Sequence, residues 1–170
     1  AHKAPAFLRM NPFGQVPVLE DGDVVVSDSN AILVYLATRY DPARTWLPVD
    51  AVAAAHVQRW LSIAAGPLLH GPGVLRLANV FGAKVDVERA RAIAAQVLTV
   101  LDDELARRPF IVAEGPSRGP TIADLALYAY TAHAPEGGVS LAPFAHVRAW
   151  VARIEALPAF VGMQRSPSAT

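Results

Sequence analysis

A single short hairpin signal near the amino terminus constrains this chain more than any other feature. Gln15-Val16-Pro17-Val18-Leu19 and Asp23-Val24-Val25-Val26-Ser27 are apolar runs of strand length. Glu20-Asp21-Gly22 between them carries the Asp-Gly pair that favours a tight reversal. Two adjacent antiparallel strands are the simplest reading. Pro17 has no amide hydrogen to give to a ladder, so it belongs at a strand start or edge, with its neighbourhood open on one side. A hairpin and one helix cannot bury their apolar faces without a larger sheet. The expectation is therefore further strands upstream of Ala1, and a chain that starts inside a layered domain.

Beyond the hairpin the periodicity turns helical. Asp28 or Ser29 can cap a helix in which Ile32, Tyr35, Leu36 and Tyr40 form a face able to cover the hairpin. Asp41-Pro42 ends it, and Trp46-Leu47-Pro48 reads as an anchored linker. From about Ala51 to Asn79 the chain is apolar, interrupted at Gly66-Pro67 and at Gly71-Pro72-Gly73; a bent helix and two stacked shorter ones fit equally well. Asp86 opens another helix, with Ala90, Ile93, Val97, Leu101 and Leu105 at helical spacing, and Pro109 closes it. Thr121 stands three residues before Asp124, a capping-box arrangement ahead of Leu125, Leu127 and Tyr128. Pro143 to Leu157 supplies one more amphipathic helix. Tyr35, Tyr40, Tyr128 and Tyr130 are read as helix-packing residues.

Composition narrows the classes of function. Hydrophobic types make up 53% of 170 residues, enough for a substantial core and too many for a disordered chain. Fifteen Lys and Arg against fifteen Asp and Glu leave no net positive field and no basic stripe, which argues against a nucleic-acid partner. With no Cys, these residues hold no disulfide, thiolate nucleophile or zinc finger. His56, His70, His133 and His146 lie on separate segments without paired ligand spacing, so no metal is expected. No apolar run reads as a signal or a spanning segment, and the expectation is a cytoplasmic protein without a membrane partner.

The run from His2 to Asp23, with Asn11-Pro12-Phe13-Gly14-Gln15-Val16-Pro17 at its centre, resembles glutathione transferases and looks closest to their phi-like group. Asp28-Ser29-Asn30-Ala31-Ile32, followed by Tyr35-Leu36, extends the resemblance, and Thr121-Ile122-Ala123-Asp124 matches the cap of the family's second domain. The resemblance implies an α/β unit followed by an all-α one. A partial thioredoxin-like glutathione-binding domain would occupy 1–41, a linker 42–50 and a helical domain 51–170. A cis peptide is implied before Pro17, with the Val16 backbone receiving the cysteinyl part of glutathione as an added strand. Asp28 and Ser29 would hold the γ-glutamyl end: a helix N-terminus and a hydroxyl favour its carboxylate, an acidic side chain its ammonium. Gln15, together with His2 and Lys3 at the glycyl carboxylate, completes the implied binding set. Two residues depart from the family pattern. Asp28 is shorter than the Glu or Gln common there, and Asn30 stands where phi-like members often carry Arg, which removes a possible salt bridge across a dimer interface.

The implied reaction is attack of the glutathione thiolate on a hydrophobic electrophile, with glutathione as cosubstrate, no metal, and a homodimer as the assembly. Favouring thiolate over thiol requires a hydroxyl donor or other dipoles at the sulfur. Phi-like members place a Ser for this upstream of the segment present here, so the catalytic residue is unknown, and a chain truly starting at Ala1 is expected to lack efficient transferase activity. Ser29 belongs to the glutamyl end and is not a substitute. Trp60 and Ile63, with Leu68 or Leu69 nearby, are the candidates for lining a hydrophobic cosubstrate pocket. Thr121 and Asp124 are assigned a structural cap. A noncatalytic binding or structural protein on the same fold, and a glutathione-dependent reductase or isomerase, are the alternatives.

Overall fold

The computed structural model describes residues 3–113 and 119–166. A short helix α1 (Pro5–Met10) precedes strands β1 (Val18–Asp21) and β2 (Val24–Ser27), which are followed by α2 (Ser29–Tyr40). The second unit holds α3 (Ala51–Ile63), a π-helical stretch (Ala64–Gly73), α4 (Val74–Phe81), α5 (Val87–Leu105), α6 (Ile122–Ala132), a 3-10 turn (Ala134–Gly137) and α7 (Ala145–Glu155). A short thioredoxin-like unit with a two-stranded sheet thus leads into a mostly helical one.

The strands pair antiparallel, Val18 opposite Ser27 and Asp21 opposite Val24, across a loop in which Gly22 takes a positive φ of 59°. They begin later than the apolar run suggests: Gln15, Val16 and Pro17 stay outside the ladder, as a residue without an N–H requires. Tyr35 and Tyr40 do more than pack. Both hydroxyls donate to the Asp21 carboxylate, tying α2 to the hairpin turn, and these bonds, that from Tyr40 first, hold the Asp21 carboxyl below its usual range.

The proline-containing segment neither breaks nor splits. The chain stays helical from Ala51 to Phe81 because Pro67 and Pro72 fall inside the π-helical stretch, where the wider turn relaxes the ladder that proline cannot complete. Gly71 there meets α5 at backbone distance: a methyl on it would lie 2.8 Å from the Ala94 nitrogen. Val57, Trp60, Leu61 and Leu68 from this long run pack with Leu98 and Leu101 of α5, Leu127 of α6, and Val147 and Trp150 of α7 in one buried core. Fully burying each such aliphatic side chain contributes about 1.5–3 kcal/mol.

Polar groups fix how the helices meet. Thr121 and Asp124 form the reciprocal cap of α6, and the same Asp124 carboxylate accepts from Ile111 N–H at 2.8 Å, Thr121 N–H at 2.9 Å and Trp150 Nε1 at 2.9 Å. Burial pushes its pKa up while those donors pull it down. The linker is anchored at Trp46, whose N–H donates to Asp41 and whose C=O accepts from Ile122 N–H. Helix α7 has no cap of its own; Asp102 of α5 accepts from His146 and Val147 N–H, each at 2.9 Å. Asn30 Nδ2 donates to Leu61 C=O at 2.9 Å and joins α2 to α3. Glu136 collects Arg76 Nε at 2.7 Å, His133 Nδ1 at 2.7 Å and Ser166 N–H at 3.1 Å. Burial raises its carboxyl, but the hydrogen bonds from His133 and Arg76 prevail and hold it down at about 2.

Candidate functional site

The segment ahead of the hairpin is shaped by Asn11. Its side chain is buried, donates through Nδ2 to Gln15 C=O at 2.7 Å and accepts from Phe13 N–H at 3.1 Å. Gly14, with a φ of 60°, closes the turn by donating to Asn11 C=O at 2.9 Å. This side-chain-braced turn presents Val16 and Pro17 at the surface. Val16 is 72% exposed and the Val16–Pro17 peptide bond is cis. Among the described residues, neither the N–H nor the C=O of Val16 has a hydrogen-bond partner, so one residue of strand edge is free. Asn11 was given no role from the sequence; an Asn opening an Asn-Pro-x-Gly turn was the available signal.

Asp28, and not Ser29, caps α2: Oδ1 accepts from Asn30 and Ala31 N–H, each at 3.0 Å. Asp28 does so with a φ of 80°, a region few non-glycine residues adopt. Its second carboxylate oxygen has no partner among the described residues, and Ser29, exposed at the first helical position, keeps its hydroxyl free among them as well. Lys3 Nζ donates to Phe13 C=O at 3.3 Å.

These groups surround one cleft of ≈ 650 Å³, within the size range of small-molecule sites. Lys3, Gln15, Val16, Pro17, Asp28 and Ser29 form one wall. The facing wall comes from the helices: Ala64, Ala65, Leu69, Leu77, Ala126 and Tyr130. His2 lies outside the described residues. Trp60 and Ile63 are not part of this wall. Trp60 is only 2% exposed because its large ring turns into the core, and Ile63 borders a separate depression with Pro67 and Ile93. Leu69, further along the run, faces the cleft, while Leu68 is fully buried. Tyr130 also faces the cleft, where the sequence had suggested helix packing alone. Thr121 and Asp124 sit in the helical core, away from the cleft.

Two family models match the chain: the one described as Glutathione S-transferase, N-terminal domain, over residues 1–38, and Glutathione S-transferase, C-terminal domain, over residues 52–158. The chain belongs to the glutathione S-transferase family. Glutathione S-transferase 3 of Zea mays is 35% identical over 170 residues, covering 94% of this chain and 75% of that protein. Glutathione S-transferase theta-2 of Homo sapiens is 35% identical over 132 residues, covering 73% of this chain; the matched part is 52% of the human protein, about half its length. A crystal structure of a glutathione transferase homolog from Drosophila mojavensis with bound glutathione superposes with a TM-score of 0.81 and 25% identity, over 93% of this chain and 72% of that one. In this family member the polar wall of the cleft is supplied by the N-terminal unit and the apolar wall by the C-terminal helices. Among the described residues no helix is long and apolar enough to cross a membrane, and no group of three or more His, Asp or Glu could hold a metal ion.

Proposed function

We propose that the cleft binds glutathione along Val16 and transfers its thiolate to hydrophobic electrophiles. The observation that carries this reading is the pairing of two unlike walls. One offers a free main-chain N–H and C=O at Val16 beside a helix N-terminus with an unspent carboxylate oxygen and hydroxyl; the other is apolar. A tripeptide can extend the strand edge through its cysteinyl backbone. Its γ-glutamyl carboxylate suits Ser29 and the α2 N-terminus, and its ammonium the second oxygen of Asp28. Lys3, with Gln15 and His2, supplies donors for the glycyl carboxylate. Bound in this way, the sulfur projects toward Leu69 and its neighbours, against which an apolar cosubstrate is desolvated. The sulfur forms a bond to the electrophilic carbon, the thiol proton passes to solvent, and the leaving group departs with its bonding pair. Holding both reactants in one cleft lowers the entropic part of the barrier. The group that favours the thiolate is not assigned to a residue of this chain.

The glutathione bound by the Drosophila mojavensis homolog supports the same cosubstrate here. The proposal includes a homodimer in the cytoplasm, as in the wider family, and sedimentation over a concentration series checks the association state. The function is tested by mixing the purified full-length protein with glutathione and 1-chloro-2,4-dinitrobenzene and following conjugate absorbance. Turnover that saturates in glutathione supports it. Absence of both turnover and glutathione binding overturns it, and binding without turnover favours the noncatalytic alternative.

A further inference from the structure

The chain has four tyrosines, and three of their hydroxyls are engaged. Tyr35 and Tyr40 donate to Asp21, and Tyr128 donates to Glu155 at 2.9 Å. Tyr130 is the exception. Its ring is half-buried on the helical wall of the cleft, yet its hydroxyl has no hydrogen-bond partner among the described residues. No buried side-chain oxygen or nitrogen among those residues is left unpaired, so this hydroxyl is reached by solvent, on a residue that lines the cleft. Every other side chain of the helical wall is apolar: Ala64, Ala65, Leu69, Leu77 and Ala126.

The ring is held in place by a missing side chain. Gly73 ends the π-helical stretch, and a methyl there would approach Tyr130 Cδ1 and Cε1 to 3.0 Å and Leu69 Cδ1 to 3.4 Å. At 3.0 Å the ring would have to give way by a few tenths of an ångström, so the bare Gly73 backbone is the shelf on which the ring rests. Burial raises the phenol's pKa, with Arg76 opposing and Asp28 adding to the rise, so the group is a protonated donor at neutral pH. Asp28 belongs to the opposite wall of the same cleft.

We propose that the Tyr130 hydroxyl donates a hydrogen bond to an acceptor oxygen of the electrophile, making the site selective for hydrophobic electrophiles that carry a carbonyl or nitro oxygen, with Gly73 as the positioning residue. The proposal rests on the cleft being the transferase site. An apolar wall with a single convergent polar group orients an apolar ligand through that group. With an α,β-unsaturated ketone, the glutathione sulfur forms a bond to the β-carbon and the C=C π pair shifts toward the carbonyl oxygen. Charge develops on that oxygen, where the Tyr130 hydrogen bond strengthens, and solvent then protonates the α-carbon.

The test is calorimetric binding of three ligands to the full-length protein: glutathione, S-phenacylglutathione with a ketone oxygen, and S-phenethylglutathione without one. The wild type is expected to prefer the phenacyl over the phenethyl compound by about 5- to 10-fold, the worth of one neutral hydrogen bond. Tyr130→Phe keeps the ring and is expected to bring that ratio close to one, with glutathione affinity within about twofold of wild type and circular dichroism unchanged. Gly73→Ala is expected to lower the ratio in the wild-type background and not further when combined with Tyr130→Phe, which a general loss of stability would not reproduce. Retention of the phenacyl preference in Tyr130→Phe overturns the inference while leaving the transferase reading intact. Failure of the wild type to bind any of the three overturns both.

Discussion

Removing the Asp124 carboxylate is expected to cost more stability than any other single side-chain change in the helical unit. In Asp124→Ala the N–H groups of Ile111 and Thr121 and the Nε1–H of Trp150 lose their acceptor together. Ile111, Thr121 and Trp150 are each 0% exposed, so water cannot step in without opening the core. A buried donor left unsatisfied costs about 1–3 kcal/mol, and losing the α6 cap about 0.5–2 kcal/mol. The terms share one site and do not add fully, which sets the expected loss at about 3–5 kcal/mol out of the roughly 5–15 kcal/mol that stabilises a typical domain. Asp124→Asn retains a carbonyl oxygen for Ile111 and Trp150 and turns an amide toward Thr121 N–H, so it should lose about 1–2 kcal/mol. Urea unfolding followed by far-UV circular dichroism and by Trp fluorescence measures both variants. A loss below about 1 kcal/mol for Asp124→Ala, or equal losses for Ala and Asn, would refute the assignment of Asp124 as a three-donor hub.

Asp28→Asn is expected to weaken glutathione binding about 5- to 30-fold by calorimetry, because an exposed charged contact is worth about 1–2 kcal/mol. Its melting temperature should stay within about 2 °C, since Asn caps as Asp does and tolerates a positive φ. Glu136 has its carboxyl held below the ordinary 4.5, at about 2, so its contribution is fully present above pH 4.5 and lost as pH falls toward about 2. Glu136→Gln should lower stability at pH 7 by about 1–2 kcal/mol and flatten the acid limb of a stability-against-pH profile across that window. Gly71→Ala, which forces a carbon to 2.8 Å from Ala94 N, should destabilise by about 1–3 kcal/mol, whereas Gly66→Ala meets nothing within 4 Å and should be neutral or slightly stabilising in the same denaturation assay.

Where the determinants are local in sequence, the fold could be read from it. The Asp-Gly reversal lies within a few residues of the strands it joins, and the Thr121 and Asp124 cap of the helix it starts. The cap of α7 could not be read, because Asp102 reaches it from 44 residues away and Phe144, the residue in the capping position, gives no sign of it. Pro67 and Pro72 leave a bent helix and two stacked shorter ones equally open, because they remove ladder donors; the uninterrupted helical run through the π-helical stretch, with Gly71 packed on α5, decides against two separate helices. In the cleft, Lys3, Gln15, Val16, Pro17, Asp28 and Ser29 were named through the family pattern and share one wall. Of the facing wall the sequence offers only Leu69, as one of several candidates, because helix periodicity does not say which of two burying surfaces an apolar residue meets. Trp60 enters the core and Leu69 the cleft, and Tyr130 turns to the cleft because Gly73 leaves room for its ring.

A crystal structure of the full-length protein grown with glutathione tests the central claim most directly. The account predicts the cysteinyl residue paired antiparallel with Val16, its N–H and C=O bonded to the Val16 C=O and N–H at about 2.8–3.0 Å, and the γ-glutamyl carboxylate at Ser29 and the α2 N-terminus. Glutathione bound away from Val16 and Ser29, or a cleft that stays empty at saturating glutathione, would contradict it.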